Sequence, residues 1–456
     1  MDIKTIKTIE SATEKSLSSF AKLSFSLLFL LAVFLWTYSS HGKVPDNTFL
    51  IIGAIFGAYM ALNIGANDVA NNVGPAVGAR ALTLTGAIII AAIFESAGAI
   101  IAGGDVVNTI KSGIINPNLI TDKNSFIWAM TAGLLAGAVW LNFATSIGAP
   151  VSTTHAIVGG VMGAGIASAG FSILNWGSLA EIASSWVISP LLGGIVAAGF
   201  LYFIKKQIVY KENMIEQAQK FVPILIAIMT WAFTTYLILK GLKQLVNISF
   251  LFASGISLLF AFVAYYITKK SIDKNLSNLS NDRSSVNKLF TPALIFGAAL
   301  LSFAHGANDV SNAIGPLAAI NDAIMHGGTS VKASVPFWIM VVGAIGIVIG
   351  LILYGPRLIK TVGSEITELD QMRAFSVAMA TAVTVIIASQ MGLPVSSTHI
   401  AIGGVFGVGF LREALDMTEK NYVQDIREKF KKHKKELEKL KADLFKLEKI
   451  RINQLM

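Results

Sequence analysis

Long apolar stretches alternate with short polar segments over most of the chain. A helix needs roughly 20 predominantly apolar residues to cross a bilayer, and twelve stretches are candidates. They lie approximately at residues 22–40, 48–64, 81–103, 126–147, 150–170, 178–204, 221–240, 249–268, 290–305, 337–354, 375–390 and 394–411. The pattern predicts an all-α polytopic membrane protein of about 12 transmembrane helices.

Composition supports this class and excludes others. Hydrophobic residues make up 54% of the 456 residues, charged residues 14%, and the mean hydropathy is +0.65, which is too apolar for a soluble domain of this length. The chain has no cysteine, which excludes disulfides and thiolate metal sites. It also lacks the G-x-x-x-x-G-K-[ST] motif of nucleotide-binding loops, so we do not expect ATP-driven pumping.

The net charge of +9 comes largely from basic segments that the twelve-span pattern places on one side of the membrane. They contain Lys4, Lys7, Lys15, Lys22, Lys205, Lys206, Lys211, Lys220, Lys269, Lys270, Lys274, Arg283 and Lys288. Cytoplasmic loops carry an excess of Lys and Arg, so we expect a cell-membrane protein with both termini in the cytoplasm and no nucleic-acid partner. The basic stretch before residues 22–40 also fits a signal peptide, although the charge pattern favours a span.

Two long motifs each occur twice, in the same order. "GANDVANNVGP" at Gly65–Pro75 returns as "GANDVSNAIGP" at Gly306–Pro316, and "GAPVSTTHAIVGGVMGAG" at Gly148–Gly165 returns as "GLPVSSTHIAIGGVFGVG" at Gly392–Gly409. A weaker echo pairs Thr109 with Thr361. Seven predicted crossings separate the two GANDV helices, and an odd number inverts the second copy. Inverted repeats place a substrate site near the bilayer midplane, between broken helices or hairpins.

The duplication suggests five segments. They are a cytoplasmic N-terminus (1–21), a first membrane repeat with an extra span (22–205), connecting spans with cytoplasmic linkers (206–290), a second membrane repeat (291–411) and a charged cytoplasmic helical tail (412–456).

The doubled motifs carry helix-breaking and hydroxyl residues. Six residues are predicted to break helices inside the membrane, namely Gly65, Gly74, Pro75, Gly306, Gly315 and Pro316. A broken helix exposes N–H groups at its new start, which attract anions. Pro150 and Pro394 are expected near such starts, where hydroxyls form a donor cluster suited to an oxyanion; they belong to Ser152, Thr153, Thr154, Ser396, Ser397 and Thr398.

Asp68 and Asp309 pose an electrostatic problem, because a carboxylate beside an anion in a low-dielectric site is repulsive by several kcal/mol. Either the acids are protonated, or a small cation such as sodium lies between acid and anion. Four amides complete an all-oxygen shell for the cation or hydrogen-bond the anion: Asn67, Asn71, Asn308 and Asn312.

The paired "GANDVAN"-type and "PVS[ST]TH" motifs resemble the inorganic phosphate transporter family, whose members are sodium- or proton-coupled phosphate symporters. The resemblance covers residues 48–411. It implies an inverted-repeat membrane fold of about twelve spans, uptake of inorganic phosphate, essential roles for Asp68 and Asp309, and a phosphate path lined by the six hydroxyl residues. No cofactor is implied beyond the coupling ion.

The "IFESAGA" stretch also resembles the family, whose acid there is functionally important, which makes Glu95 a candidate. Animal members have a matching Glu in a second-half "TIELASA" stretch. This chain reads "SVAMATA", with Ala378 at that place. His155 and His399 are interpreted either as proton carriers or as ties between each helix start and a neighbouring carbonyl.

The predicted site therefore has three parts. Phosphate is assigned to Asn67, Asp68, Ser152, Thr153, Thr154, Asn308, Asp309, Ser396, Ser397 and Thr398; sodium to Asp68, Asn71, Asp309, Asn312, Ser152 and Ser396; and coupling to Glu95, His155, His399, Thr109 and Thr361. The leading hypothesis is sodium symport of phosphate. Proton coupling, carriage of a metal–phosphate complex and transport of sulfate stay open, and a hydrolase or a passive channel are less favoured alternatives.

The tail carries apolar residues at alternating spacings of three and four, interrupted by His433. They are Val423, Ile426, Phe430, Leu437, Leu440, Leu444 and Leu447. This narrow seam is typical of a coiled coil, which predicts a homodimer. A helix lying against the membrane or the transporter's own loops is the alternative.

Overall fold

The structure is a computed structural model that describes residues 19–44, 46–116, 119–120, 122–241, 248–275, 279–326, 334–365 and 369–455. Within these ranges it is built from helices and contains no β-strand. The first half contains α1 (Ser19–His41), α2 (Asn47–Asn67), α3 (Ala70–Gly78), α4 (Leu84–Ala102), α5 (Gly104–Asn108), α6 (Lys123–Ile147), α7 (Thr153–Ala169) and α8 (Trp176–Ile204). The remainder contains α9 (Met214–Gly241), α10 (Phe250–Asn275), α11 (Arg283–Leu289), α12 (Thr291–His326), α13 (Phe337–Lys360), α14 (Gln371–Gln390) and α15 (Ser397–Leu455).

Ten helices in the described ranges are long and apolar enough to cross a membrane. They match ten of the twelve predicted spans. The other two predictions, at 150–170 and 394–411, fall on α7, which has only 17 residues, and on the start of α15. Both follow a tight turn, at Gly148 (φ 78°) and Gly392 (φ 69°), where only glycine adopts the backbone without strain.

Among the residues that the structure describes, three short segments are wound as π-helix: Thr109–Gly113, Lys205–Val209 and Thr361–Glu365. The first and third contain the weakly echoed Thr109 and Thr361. A π-helical turn is frequent at functional positions, and this shared irregularity gives the weak sequence echo a structural counterpart.

Helix α12 forms the centre of the membrane unit and is buried along nearly its whole length. It packs against α4, where a Cβ on Gly306 would overlap the carbonyl of Glu95. Helices α2 and α13 pack in the same way, with Gly65 against the carbonyl of Ile347. The glycines that sequence reasoning took for helix breakers therefore allow close helix contact.

The predicted helix break occurs in one copy only. The first copy is interrupted between Asn67 and Ala70, whereas α12 runs unbroken through the second, so the predicted break there is wrong. Pro75 and Pro316 both lie inside helices. A proline removes one backbone hydrogen bond and kinks a helix, but surrounding helices can hold the segment in place.

Two predicted linkers are more helical than expected. The segment 206–220 is mostly occupied by the π-turn and the start of α9, and α10 extends into 269–290 as far as Asn275. Helix α11 follows in the same segment, where the carboxylate of Asp282 accepts from the backbone N–H of Ser285 at 2.7 Å. Such a cap supplies one of the four N–H partners that a helix start lacks. Residues 1–18, with three of the basic residues named above, lie outside the described ranges.

The chain divides into two compact units, Met1–Val408 and Gly409–Met456. In the second unit, residues 409–455 are helical. Four apolar side chains of the predicted seam are exposed there: Ile426, Phe430, Leu437 and Leu440.

Candidate anion and cation site

The two hydroxyl-bearing helix starts are formed as the sequence predicts. Ser152 precedes α7, and its Oγ accepts from the backbone N–H of His155 at 3.1 Å. Ser396 does the same for α15, accepting from the N–H of His399 at 3.2 Å. Each serine thereby satisfies one free N–H of its helix start.

The turns before these helices are held by the asparagines of the GANDV motifs. Nδ2 of Asn67 donates to the carbonyl of Ala149 at 3.0 Å, and its Oδ1 accepts from the N–H of Val151 at 3.0 Å. Asn308 makes the matching contacts with Leu393 (3.1 Å) and Val395 (3.3 Å). Both amides were predicted as phosphate ligands. In the structure they are positioning residues for the helix starts, and direct contact with phosphate stays a prediction.

Asp68 lies fully buried among donors from both helix starts. Its Oδ2 accepts from the hydroxyl of Thr153 at 2.7 Å, and its Oδ1 accepts from Thr398 and, at 3.0 Å, from Nδ2 of Asn71. Ser397 also donates to it at 3.4 Å. The carboxylate of the first copy is thus solvated by hydroxyls of both copies.

Asp309 is solvated differently. Its Oδ2 lies 2.8 Å from Nε2 of His305 and 3.4–3.5 Å from the hydroxyls of Ser397 and Thr153. Thr154, the counterpart of Thr398, donates instead to the carbonyl of Val395 at 2.9 Å. Two buried acceptors at this place, Oδ1 of Asp309 and Oδ1 of Asn312, have no hydrogen-bond partner among the described residues. Unpartnered buried oxygens are costly and are suitable ligands for a hard cation.

Glu95 and His305 connect the site to helix α4. Nδ1 of His305 lies 2.8 Å from Oε2 of Glu95, and Oε1 of Glu95 accepts from Nδ2 of Asn72 at 2.6 Å. His305 also lies 3.7 Å from Oδ2 of Asp68. Sequence reasoning missed His305, although the two motif copies differ at that position: the residue before the motif glycine is His305 in one copy and Ile64 in the other.

The packing also corrects the predicted counterpart of Glu95. The carbonyl of Glu95 contacts Gly306, as that of Ile347 contacts Gly65, so the residue that matches Glu95 is Ile347 on α13. Ala378 lies on α14, a different helix of the second copy. Glu95 therefore still has no acidic counterpart, and the residue at the matching position is Ile347 and not Ala378.

His155 and His399 lie together, with ring centroids 4.8 Å apart. His155 stacks on Trp186 at 3.7 Å, and its Nδ1 lies 2.6 Å from Oγ of Ser152. Nε1 of Trp186 donates to the carbonyl of Pro394 at 3.2 Å. These contacts favour a role in joining the two helix starts; proton carriage stays a prediction.

Each echoed π-helical segment lies at or beside a contact with the opposite copy. Thr109 donates to the carbonyl of Gly392 at 2.6 Å, and Arg357, one turn before Thr361, donates to the carbonyl of Ser146 at 2.9 Å. Thr361 itself donates to the carbonyl of Arg357 within its own helix. Each contact fixes the turn that precedes a hydroxyl-bearing helix start.

A buried ion pair lies beside the first of these segments. Nζ of Lys111 pairs with the carboxylate of Asp322 at the end of α12, and both side chains are 2% exposed. Breaking a buried pair by removing one partner leaves an uncompensated charge, so the pair ties the π-helical segment firmly to α12.

The geometry fits a cation site between the two acids. One ligand atom each from Asp68, His305 and Asp309 lies within 4.8 Å of the others. Carboxylate, amide and hydroxyl oxygens surround this place, which is the donor set that hard cations prefer. Buried acids that converge with helix starts in a multi-pass helical bundle are typical of a membrane transporter.

Comparison with known proteins agrees with this class. The model of the phosphate transporter family matches residues 64–436. A predicted phosphate permease of Helicobacter pylori strain J99 is 54% identical over 418 residues, covering 91% of this chain and 78% of that protein. One of Haemophilus influenzae is 39% identical over 376 residues, covering 80% and 89%. The chain belongs to the phosphate transporter family, and is a multi-pass membrane transporter and not an enzyme.

A solved structure described as the sodium-dependent phosphate transporter is similar over most of the chain. It is 36% identical, covers 80% of this chain and 90% of its own, and superposes with a TM-score of 0.76.

Proposed function

We propose that the chain imports inorganic phosphate into the cell by symport with sodium. The observation that carries this proposal is the convergence of hydroxyls from both helix starts on two buried aspartates, Asp68 and Asp309. The family match supports phosphate as the substrate, and the sodium-dependent neighbour supports sodium as the coupling ion.

The hydrogen bonds suggest how the two substrates are coupled. The hydroxyl protons of Thr153, Ser397 and Thr398 point toward carboxylate oxygens, and a hydroxyl has only one proton to donate. A sodium ion that binds the carboxylates would take those hydroxyl oxygens as ligands through their lone pairs. The protons would then turn away from the cation and become available to an oxyanion.

The same ion removes the electrostatic conflict between acid and anion. Two carboxylates beside phosphate repel it by several kcal/mol in a low-dielectric site. A sodium ion held by Asp309 Oδ1 and Asn312 Oδ1, the two unpartnered oxygens, compensates part of this charge. Phosphate binding therefore depends on prior or simultaneous sodium binding.

Proton coupling is the second candidate, because both ring nitrogens of His305 lie near carboxylate oxygens. Nε2 is near Asp68 and Asp309, and Nδ1 is near Glu95. In that case a proton on Asp309 replaces the sodium ion. The similarity to a sodium-dependent transporter favours sodium over the proton.

Phosphate is favoured over sulfate by the acceptors in the site. Hydrogen phosphate and dihydrogen phosphate carry O–H groups that can donate to Asp68 or Asp309, whereas sulfate has none. A site that hydrogen-bonds a ligand's hydroxyl rejects an analogue without it. The inverted arrangement of the repeats, the location in the cell membrane and the cytoplasmic termini belong to this proposal. The inversion requires that α7 crosses the membrane as well, because the ten long helices alone put an even number of crossings between α2 and α12. The basic segments support this placement, since they fall on one side only if α7 crosses.

The test is uptake of radiolabelled phosphate by proteoliposomes with an imposed sodium gradient, at fixed pH, against a potassium control. We expect accumulation with sodium only, no inhibition by excess sulfate, and loss of uptake in Asp68→Asn and Asp309→Asn. Uptake that ignores sodium and follows a pH gradient would instead support proton coupling. Conduction that persists in both Asn variants would indicate a channel.

A further inference from the structure

The C-terminal unit carries a narrow apolar seam on an otherwise charged helix. Ile426, Phe430, Leu437 and Leu440 are 47–72% exposed. Between Val423 and Leu447 the seam positions alternate at spacings of three and four residues, with His433 at one of them. In heptad terms Phe430, Leu437 and Leu444 occupy a, and Ile426, Leu440 and Leu447 occupy d.

We propose that this seam is the dimer contact of the tail, where it pairs in parallel and in register with the tail of a second copy of the chain. The seam spans more than three heptads, which is the length at which a sustained a/d pattern indicates a coiled coil. The two tails of a membrane dimer leave the bilayer on one side, so a parallel arrangement is the one that the membrane permits.

The width of the seam argues for a helix partner over a lipid surface. A helix that lies on a bilayer presents a broad apolar face, at least 100° wide. Here only Ala442 and Phe445 are apolar off the seam between Val423 and Leu447. Lysines also border the seam directly, because Lys434 and Lys441 occupy the neighbouring heptad position e. The apolar stripe is therefore only as wide as the a and d positions.

The register follows from the apolar seam, and the charges beside it weaken the pair. In a parallel pair, a g residue faces the e residue five positions later on the partner. Glu436 at g then faces Lys441, which is attractive, whereas Lys429 faces Lys434 and Asp443 faces Glu448, which are both repulsive. With a histidine in the seam as well, the coil is weak in isolation. Anchoring in one membrane raises the effective concentration of the two tails into the millimolar range, which favours pairing.

The test uses the full-length protein, whose lack of native cysteine makes single cysteines unambiguous. Leu437→Cys and Leu440→Cys place a thiol on the seam, and Glu438→Cys is the matched control one residue off it, also exposed. In oxidised native membranes we expect both seam variants to form covalent dimers at least ten-fold faster than the control. Phosphate uptake should equal that of the parent protein, because all three positions are outside the transport site.

Two results would overturn the proposal. Equal cross-linking at the seam and the control would indicate random collision. Absence of cross-links at all three positions, with the seam thiols shielded from a water-soluble maleimide in membranes but reactive in detergent, would place the seam on the bilayer. A second variant, Leu437→Asp combined with Leu440→Cys, should lose the cross-link if packing of the seam drives it.

Discussion

Oε2 of Glu95 lies 2.8 Å from Nδ1 of His305, across the crossing of α4 and α12. At the matching crossing of α2 and α13 the equivalent positions are Ile347 and Ile64, as the glycine contacts show. One crossing thus has a buried acid and an imidazole where the other has two isoleucines. The two halves share their packing but differ in charge, and this difference concentrates around Asp309.

The Glu95–His305 pair predicts that single and double substitutions change the free energy of unfolding by different amounts. Glu95→Ile or His305→Ile alone leaves one buried charge with fewer partners, and we expect each to lower the free energy of unfolding by about 3–5 kcal/mol. The double variant removes both members of the pair, so it should recover part of this loss. Recovery stays incomplete and uptake stays at least ten-fold below the parent, because Asp309 also loses its contact with His305. Thermal unfolding in detergent and proteoliposome uptake measure the two effects. Full uptake in the double variant would show that the pair is only structural.

The Lys111–Asp322 pair gives a second prediction. Lys111→Met should destabilise the protein by about 3–5 kcal/mol by leaving Asp322 charged and buried. Lys111→Met with Asp322→Leu should be near the parent in stability, since a buried pair replaced by apolar residues is often neutral. The matched control is Lys123→Met, whose partner Asp46 is exposed, and here the change should be within about 1 kcal/mol. Similar losses at the two sites would contradict the account.

Asn67 and Asn308 each clamp the turn before a hydroxyl-bearing helix start, and these two clamps predict matched effects in the two copies. Asn67→Ala and Asn308→Ala each leave a turn N–H and a carbonyl without their partner, at about 1–3 kcal/mol for each buried group. If the clamps position the helix starts, both variants should raise the KM for phosphate without abolishing sodium dependence. An effect confined to one copy would show that the clamps are not equivalent.

A pH effect is expected at the start of α6, outside the membrane. The carboxylate of Asp122 accepts from the hydroxyl and the N–H of Ser125, both at 3.0 Å, and these hydrogen bonds hold its pKa below the ordinary value. Its contribution to stability is therefore complete above the unfolded pKa and is lost as the pH falls through the folded one. Asp122→Asn should remove this dependence while keeping the cap, which pH-dependent melting of both proteins would show.

The sequence was sufficient for the features that repeat within it. The duplicated motifs predicted the acids and both helix starts, and the apolar stretches predicted most of the spans, because local residue chemistry determines helix caps and apolar length. It was insufficient for contacts between distant residues. Glu95 and His305 are 210 positions apart, and the duplication hid the pair, since only one copy has it. Likewise, an asparagine in a motif does not reveal whether its amide faces a ligand or a backbone turn.

Release of the site hydroxyls by sodium is tested most directly by phosphate binding in the absence of transport. Phosphate affinity of the purified protein would be measured calorimetrically in sodium and in potassium at equal ionic strength and pH. We expect phosphate affinity to rise at least ten-fold with sodium in the parent, and this dependence to disappear in Asp309→Asn. Equal affinity in sodium and potassium would contradict the account.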